Sequence, residues 1–196
     1  IDSLKKAFDI NPRTSFIAIQ LAAIYQKKGK LNEAKDVFEN ALNANRNDKD
    51  LHYRYSKFLL QLPQSNADLI EYHLQRAFAP GDKNYDAQLL YGRQLYIKGS
   101  RDDSKPVFSR LKMARVAPNV REALLYPLEG FFHGIISKIE GSYGYINKDK
   151  SNEWIYFHRK NIPDEVWNIL VFGTRVKYKV GFNFHGPSAF EIITEL

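Results

Sequence analysis

The chain has 196 residues, with 29 Lys and Arg against 22 Asp and Glu (formal net charge +7), a single methionine, Met113, and no cysteine. The missing cysteines exclude a disulfide framework, a thiolate metal site and a cysteine nucleophile, and no apolar run reaches the length of a membrane span. The length suits one large or two small domains, and the positive balance points to an anionic partner. The charge is unevenly placed. Residues 131–196 hold eight Lys or Arg against seven Asp or Glu, which leaves 21 against 15 on residues 1–130. A chain without cysteine or a membrane span is expected in the cytoplasm.

Taken in order, residues 1–118 repeat with a period of about 34. Leu21, Tyr55 and Tyr91 recur at intervals of 34 and 36, and Ala7, Ala41, Ala77 and Leu111 at 34, 36 and 34. Gly29 and Gly99 stand 70 residues apart. Small residues at recurring positions let paired helices approach closely, and the pattern resembles a tetratricopeptide array, a solenoid of antiparallel helix pairs. The repeats are expected over 15–48, 49–84 and 85–118, the second lengthened by the turn Pro63-Gln64-Ser65-Asn66. Residues 1–12 match only the second helix of an earlier repeat. Half a repeat cannot bury its apolar face, so a longer parent protein with more repeats is expected. Residues 119–130 are predicted to form a capping or linker helix, with an apolar helical stretch at 120–128.

The resemblance implies a concave groove lined by the first helix of each repeat, of the kind that holds an extended or helical peptide. Tyr53, Lys57 and Arg93 are its candidate peptide-binding residues. Ile19, Ala23 and Leu90 occupy the positions where chaperone-binding members carry a lysine, asparagine and arginine clamp, so recognition of a terminal carboxylate is not expected. Helical periodicity reports burial whatever its use, and isolated basic residues on helices are commonly solvated surface.

From residue 131 the pattern turns to strict alternation. In Ser142-Tyr143-Gly144-Tyr145-Ile146 and Ile155-Tyr156-Phe157-His158, a period of two puts Tyr143, Tyr145, Tyr156 and His158 on one face of a sheet. Ile146, Ile155 and Phe157 fall on the other, which explains folding but leaves four rings facing outward. With Gly134-Ile135-Ile136 before them and Gly173-Thr174-Arg175-Val176-Lys177-Tyr178 and His185-Gly186-Pro187-Ser188-Ala189 after, these segments resemble the cold-shock domain, a five-stranded barrel of the OB class, over residues 131–196. The resemblance implies binding of single-stranded nucleic acid, RNA or DNA with RNA favoured. Bases would stack on Tyr143, Tyr145 and Tyr156, with His158 and Arg159 at the margin and Lys138 near a phosphate. Three positions depart from the family pattern. Lys138 replaces a stacking tryptophan, Gly141 a lysine and Arg159 an aromatic ring, and the first loop is about two residues shorter, all of which imply weaker binding. Trp154 and Trp167 suit either an extension of the stacking surface or a cover for a barrel end. Tyrosines are also enriched where proteins dock, so docking is the alternative use of this face.

No catalytic constellation emerges. The five histidines have neither the helical pair spacing nor the cysteine companions of a zinc site, and Asp102-Asp103 and Asp164-Glu165 are neighbours whose side chains diverge. No enzyme activity, metal or cofactor is expected. The sequence therefore describes a multidomain α-then-β chain: a tetratricopeptide helical solenoid (1–118), a capping segment (119–130) and a five-stranded cold-shock/OB-type β-barrel (131–196). Its expected function is that of a non-catalytic adaptor joining a protein or peptide to single-stranded nucleic acid. The alternative is a protein-interaction or sensor segment of a larger protein. No membrane partner is expected, and the oligomeric state is left open.

Overall fold

A computed structural model of the chain describes residues 1–64, 66–151 and 153–195, so Ser65 of the expected turn and Leu196 lie outside the described residues. The chain divides into two compact units, Ile1–Ser100 and Arg101–Leu196.

The first unit is helical: α1 (Asp2–Ile10), α2 (Ser15–Lys27), α3 (Leu31–Ala44), α4 (Lys49–Leu59), α5 (Ala67–Arg76) and α6 (Tyr85–Ile97). Three helix starts are capped by side chains that accept otherwise unpaired backbone N–H groups: Asp48 from Leu51, Asn66 from Asp68 and Leu69, and Asn84 from Ala87. Two helix ends close on the glycines that the sequence spaces 70 apart. Gly29 and Gly99 adopt φ of +70° and +85°, and the next residue donates back, Lys30 N–H to the Tyr25 carbonyl and Ser100 N–H to that of Leu95. The helices pack as tetratricopeptide-like hairpins. Ala18, Ala22, Ala34 and Ala41 are wholly buried where α2 meets α3, and the periodic positions Leu21, Tyr55 and Ala77 are buried with them. Across the hairpins Phe38 stacks on Tyr55 with ring centres 5.3 Å apart. Polar ties recur at a fixed offset of 33 residues, from Ser15 to Asp48, Lys49 to Asp82 and Tyr53 to Asp86.

The second unit contains α7 (Arg101–Lys112), α8 (Pro118–Glu122), β1 (Phe132–Ile139), β2 (Tyr143–Lys148), β3 (Trp154–His158), a 3-10 turn (Arg159–Asn161), α9 (Asp164–Trp167), β4 (Arg175–Asn183) and β5 (Gly186–Thr194). The strands close into a barrel in the order β1-β2-β3-β5-β4, with β4 pairing back to β1 and only β3 and β5 parallel. Its interior holds Ile136, Ile146, Ile155, Phe157, Val176, Tyr178 and Phe182, all without solvent exposure. Phe157 reaches so far inward that a Cβ at Gly144, its cross-strand partner, would collide with the ring, so only glycine fits there.

Two features differ from the sequence expectation. The 34-residue period assigns α7 to a third repeat, yet α7 groups with the barrel: Phe108 stacks on Phe182 (6.3 Å) beside Gly186, and Arg101 pairs with Glu153 at 3.2 Å. The helix expected over 120–128 stops at Glu122. Beyond it the backbone runs alongside β4 with a bend at Tyr126 (φ +50°); Leu125 exchanges both hydrogen bonds with Phe182 (2.8 and 2.9 Å) and Leu128 N–H donates to the Val180 carbonyl at 2.8 Å. Pro127 has no N–H to continue a helix, and pairing with β4 satisfies the backbone groups instead.

Candidate functional site

On the outer face of the barrel, β2 and β3 place Tyr143 opposite His158, Tyr145 opposite Tyr156 and Asn147 opposite Trp154. Residues directly opposite share a face, so the alternation predicted for these strands is realised in one row of rings. Tyr156 is its centre, 5.9 Å from Tyr143 in a stacked arrangement, 5.8 Å from Tyr145 edge to face, and 6.4 Å from His158. Tyr143 and Tyr145 meet edge to face at 5.9 Å. The four predicted rings are half-buried, bracing one another while still meeting solvent. Desolvation, followed by the field of Tyr145 and Glu122, pushes the Tyr156 hydroxyl pKa up.

The two tryptophans separate cleanly. Trp154 is 59% exposed and lies 6.0 Å from Tyr145, extending the row to five rings. Trp167 is buried and packs edge-on against Phe157, covering the core. The two predicted cations behave differently from the rings. Lys138 stands opposite Tyr145 across a bulge in β1, and its ammonium pairs with Glu140 at 2.9 Å, which raises its pKa. Arg159 is directed to Asp164 (3.1 and 3.3 Å) and lies 5.9 Å over the Trp167 ring.

Next to the rings lies a cavity of about 550 Å³ that sequence reasoning did not foresee. Tyr145, Trp154, Tyr156 and His158 line one part of it; Lys112, Glu122, Lys160 and His185 line another. The Lys160 ammonium pairs with the Glu122 carboxylate, whose pKa is lowered first by that bond and also by His158 and His185. His158 Nδ1 accepts the Lys160 backbone N–H at 3.2 Å, which leaves Nε2 as the ring's donor. Burial pushes the His185 pKa down, and Lys112 and Arg121 add to the effect. No local pattern announces this grouping, because its members are spread over 74 residues from Lys112 to His185 and are joined only by the fold.

In the first unit, Tyr53 and Lys57 are brought together but are already engaged. The Tyr53 hydroxyl donates to Asp86 of the next repeat; Lys57 Nζ lies 3.4 Å from that hydroxyl and 3.7 Å from the Asp86 carboxylate. Burial and the bond to Asp86 push the Tyr53 pKa far up. Arg93 follows Asp86 by seven residues on α6 and so shares its face.

A buried histidine pair in the same unit is also absent from the sequence reading. His52 Nε2 lies 2.9 Å from the Arg46 carbonyl, which can only accept, so Nε2 carries the proton. Its Nδ1 then accepts from His73 Nδ1–H at 2.8 Å. Desolvation lowers the pKa of both, that of His73 to about 4, and the charge of Arg76 adds to each; protonating His52 at Nδ1 would also set two N–H groups face to face. Among the described residues no group of three His, Cys, Asp or Glu could hold a metal ion, and no helix is long and apolar enough to cross a membrane.

No family model matches the chain, and a search of curated proteins finds no match either. Solved structures similar to it include YrrB, a TPR protein with an unusual peptide-binding site (28% identity over 54% of this chain and 54% of that one, TM-score 0.45). Others are MamA (18% identity, 55% of this chain and 61% of that one, TM-score 0.45) and PilF of Pseudomonas aeruginosa (21%, 56% and 50%, TM-score 0.46). The aligned region thus spans between half and about three fifths of those chains.

Proposed function

We propose that the barrel is a cold-shock-type OB domain that binds single-stranded nucleic acid, RNA in preference to DNA, and that the chain is a non-catalytic adaptor. The observation that carries this reading is the continuous set of rings on the outer face of β2 and β3, running from Trp154 through Tyr145 to Tyr156, which both Tyr143 and His158 adjoin. Burial of rings in the barrel core is explained by folding, but a half-exposed row of five is not. A base stacked on an aromatic ring gains about 1 to 3 kcal/mol with little regard to sequence. The strand order supports the assignment, since an OB barrel presents its second and third strands to oligonucleotides. Trp154 supplies a ring that offsets the one missing at Lys138. The helical hairpins take the adaptor's second role, holding a peptide or protein segment near Tyr53, Lys57 and Arg93.

Titration of the whole chain with a fluorescent oligouridine of about ten nucleotides, a length within the site sizes of OB domains, tests the nucleic-acid role. Saturable binding at low salt that weakens on removal of Tyr143 or Tyr156 is expected; no binding at low salt overturns it. One observation favours docking of a protein as a second reading. Ile169, Val171 and Phe172, close in sequence before β4, are 57%, 62% and 80% exposed. If those residues mediate the barrel's contacts, Phe172→Ser removes a protein partner while Tyr156→Ala leaves it in place.

A further inference from the structure

The proposed stacking role leaves the cationic side of the cavity unexplained. Most of the barrel's positive charge is neutralised within the barrel: Lys138 by Glu140, Lys148 by Glu153, Arg159 by Asp164, Arg175 by Asp149 and Lys179 by Glu191. Lys160 differs, because its carboxylate comes from outside the barrel, from Glu122 at the end of α8. Lys112, at the end of α7, and the imidazoles of His158 and His185 line the same cavity, whose one acid among the described residues is Glu122. The cavity is thus aromatic on one side and cationic on the other, as a nucleotide is a flat base joined to a phosphate. Its volume of about 550 Å³ lies within the usual range for small-ligand sites.

We infer that this cavity is a phosphate subsite for the strand that stacks on the rings, with Lys160 and Lys112 as phosphate ligands and Glu122 as an internal counter-ion that the phosphate displaces. The inference rests on the proposed nucleic-acid role. The Glu122–Lys160 pair suits replacement: its side chains are 45% and 40% exposed, and ion pairs so open to water are weakly held. A phosphate entering between Lys160 and Lys112 would meet two ammonium groups and the Nε2–H of His158, and Glu122 would swing into solvent. Removing Glu122 therefore strengthens binding, whereas removing either lysine weakens it. The helices before the barrel become part of the binding site instead of a spacer.

The test uses the full 196-residue chain with two ten-nucleotide strands of the same sequence at low salt, one with ordinary phosphates and one with uncharged methylphosphonate linkages. On the ordinary strand, Glu122→Gln should tighten binding about two- to five-fold, the scale of an exposed ion pair. Lys160→Gln and Lys112→Gln should each weaken it several-fold and lower the slope of log affinity against log salt by about one. Lys160→Arg, which keeps the charge, should restore affinity, separating loss of the cation from loss of fold. On the uncharged strand all these differences should vanish. If Glu122→Gln and Lys160→Gln leave affinity and salt slope unchanged while Tyr156→Ala weakens binding, the subsite is wrong and the stacking role stands. If the unaltered chain binds neither strand, both fall.

Discussion

Tyr156→Ala removes a ring that touches three of the other four on the outer face, with Tyr143, Tyr145 and His158 all within 6.4 Å of it. Two losses follow. A base that stacks on Tyr156 loses about 1 to 3 kcal/mol, a five- to 150-fold weaker affinity. Tyr143 and Tyr145 also lose the ring against which they are held, so the effect should fall in the upper half of that range and exceed that of Tyr143→Ala. Folding should suffer less. Tyr156 is half-buried and outside the core, and aromatic pairs contribute about 0.5 to 1.5 kcal/mol each beyond their buried area, so the melting temperature should drop by several degrees while the barrel stays folded. Phe157→Ala is the contrasting variant, because its wholly buried ring should cost about 3 to 5 kcal/mol and disrupt the barrel before binding is considered. Fluorescence anisotropy with a labelled oligonucleotide, paired with thermal melts of each variant, separates the two effects. Affinity of Tyr156→Ala within twofold of the unaltered chain, with a folded barrel, would refute the stacking argument.

Gly144→Ala should destabilise the barrel by about 1 to 3 kcal/mol in urea unfolding, because the added methyl collides with both the buried Phe157 ring and the backbone carbonyl of Lys138. The histidine pair makes the helical unit sensitive to acid. His73 has a pKa of about 4 when folded against an ordinary value near 6.5, so the unfolded chain binds more protons between those limits. Its contribution is fully present above about pH 6.5 and fades as the pH falls toward 4. From pH 7 to pH 5 the loss should be about 2 kcal/mol, visible by far-ultraviolet circular dichroism, and His73→Gln should flatten the dependence. For the helical groove, reversing Lys57 and Arg93 together to Glu should abolish capture of an acidic peptide partner by residues 1–100 in a pull-down. Unchanged capture would assign both residues to the scaffold.

The repeat period and the strand alternation were both legible because each follows from local geometry. Alanine recurs where helices touch, and rings alternate with Ile and Phe where a strand divides core from solvent. The same alternation assigns Trp154 to the outer face, two residues before Tyr156, so its place in the row follows from strand parity once β3 is recognised. The inter-repeat offset of 33 likewise makes the tie between Tyr53 and Asp86 available to a reader who carries one repeat onto the next. Other features depend on pairings that no window of sequence contains. Residues 123–128 read as apolar helix, and only the part of β4 beyond its pairing with β1 turns them into a strap alongside it. Glu122 and Lys160 are 38 residues apart, and neither has a neighbour that announces the other. Lys138 and Arg159 showed as cations of the right kind, but the acids that hold them, Glu140 and Asp164, decide where their charges point.

The most direct test of the central claim uses the two tryptophans as reporters. With Trp167, buried against Phe157, replaced by Phe, the exposed Trp154 beside Tyr145 is the sole indole in the chain. Its emission should be quenched saturably as a single-stranded oligonucleotide is added, with the midpoint found by anisotropy, because bases stack along the ring row. Unchanged emission at concentrations that saturate the anisotropy would place the strand elsewhere and contradict the account.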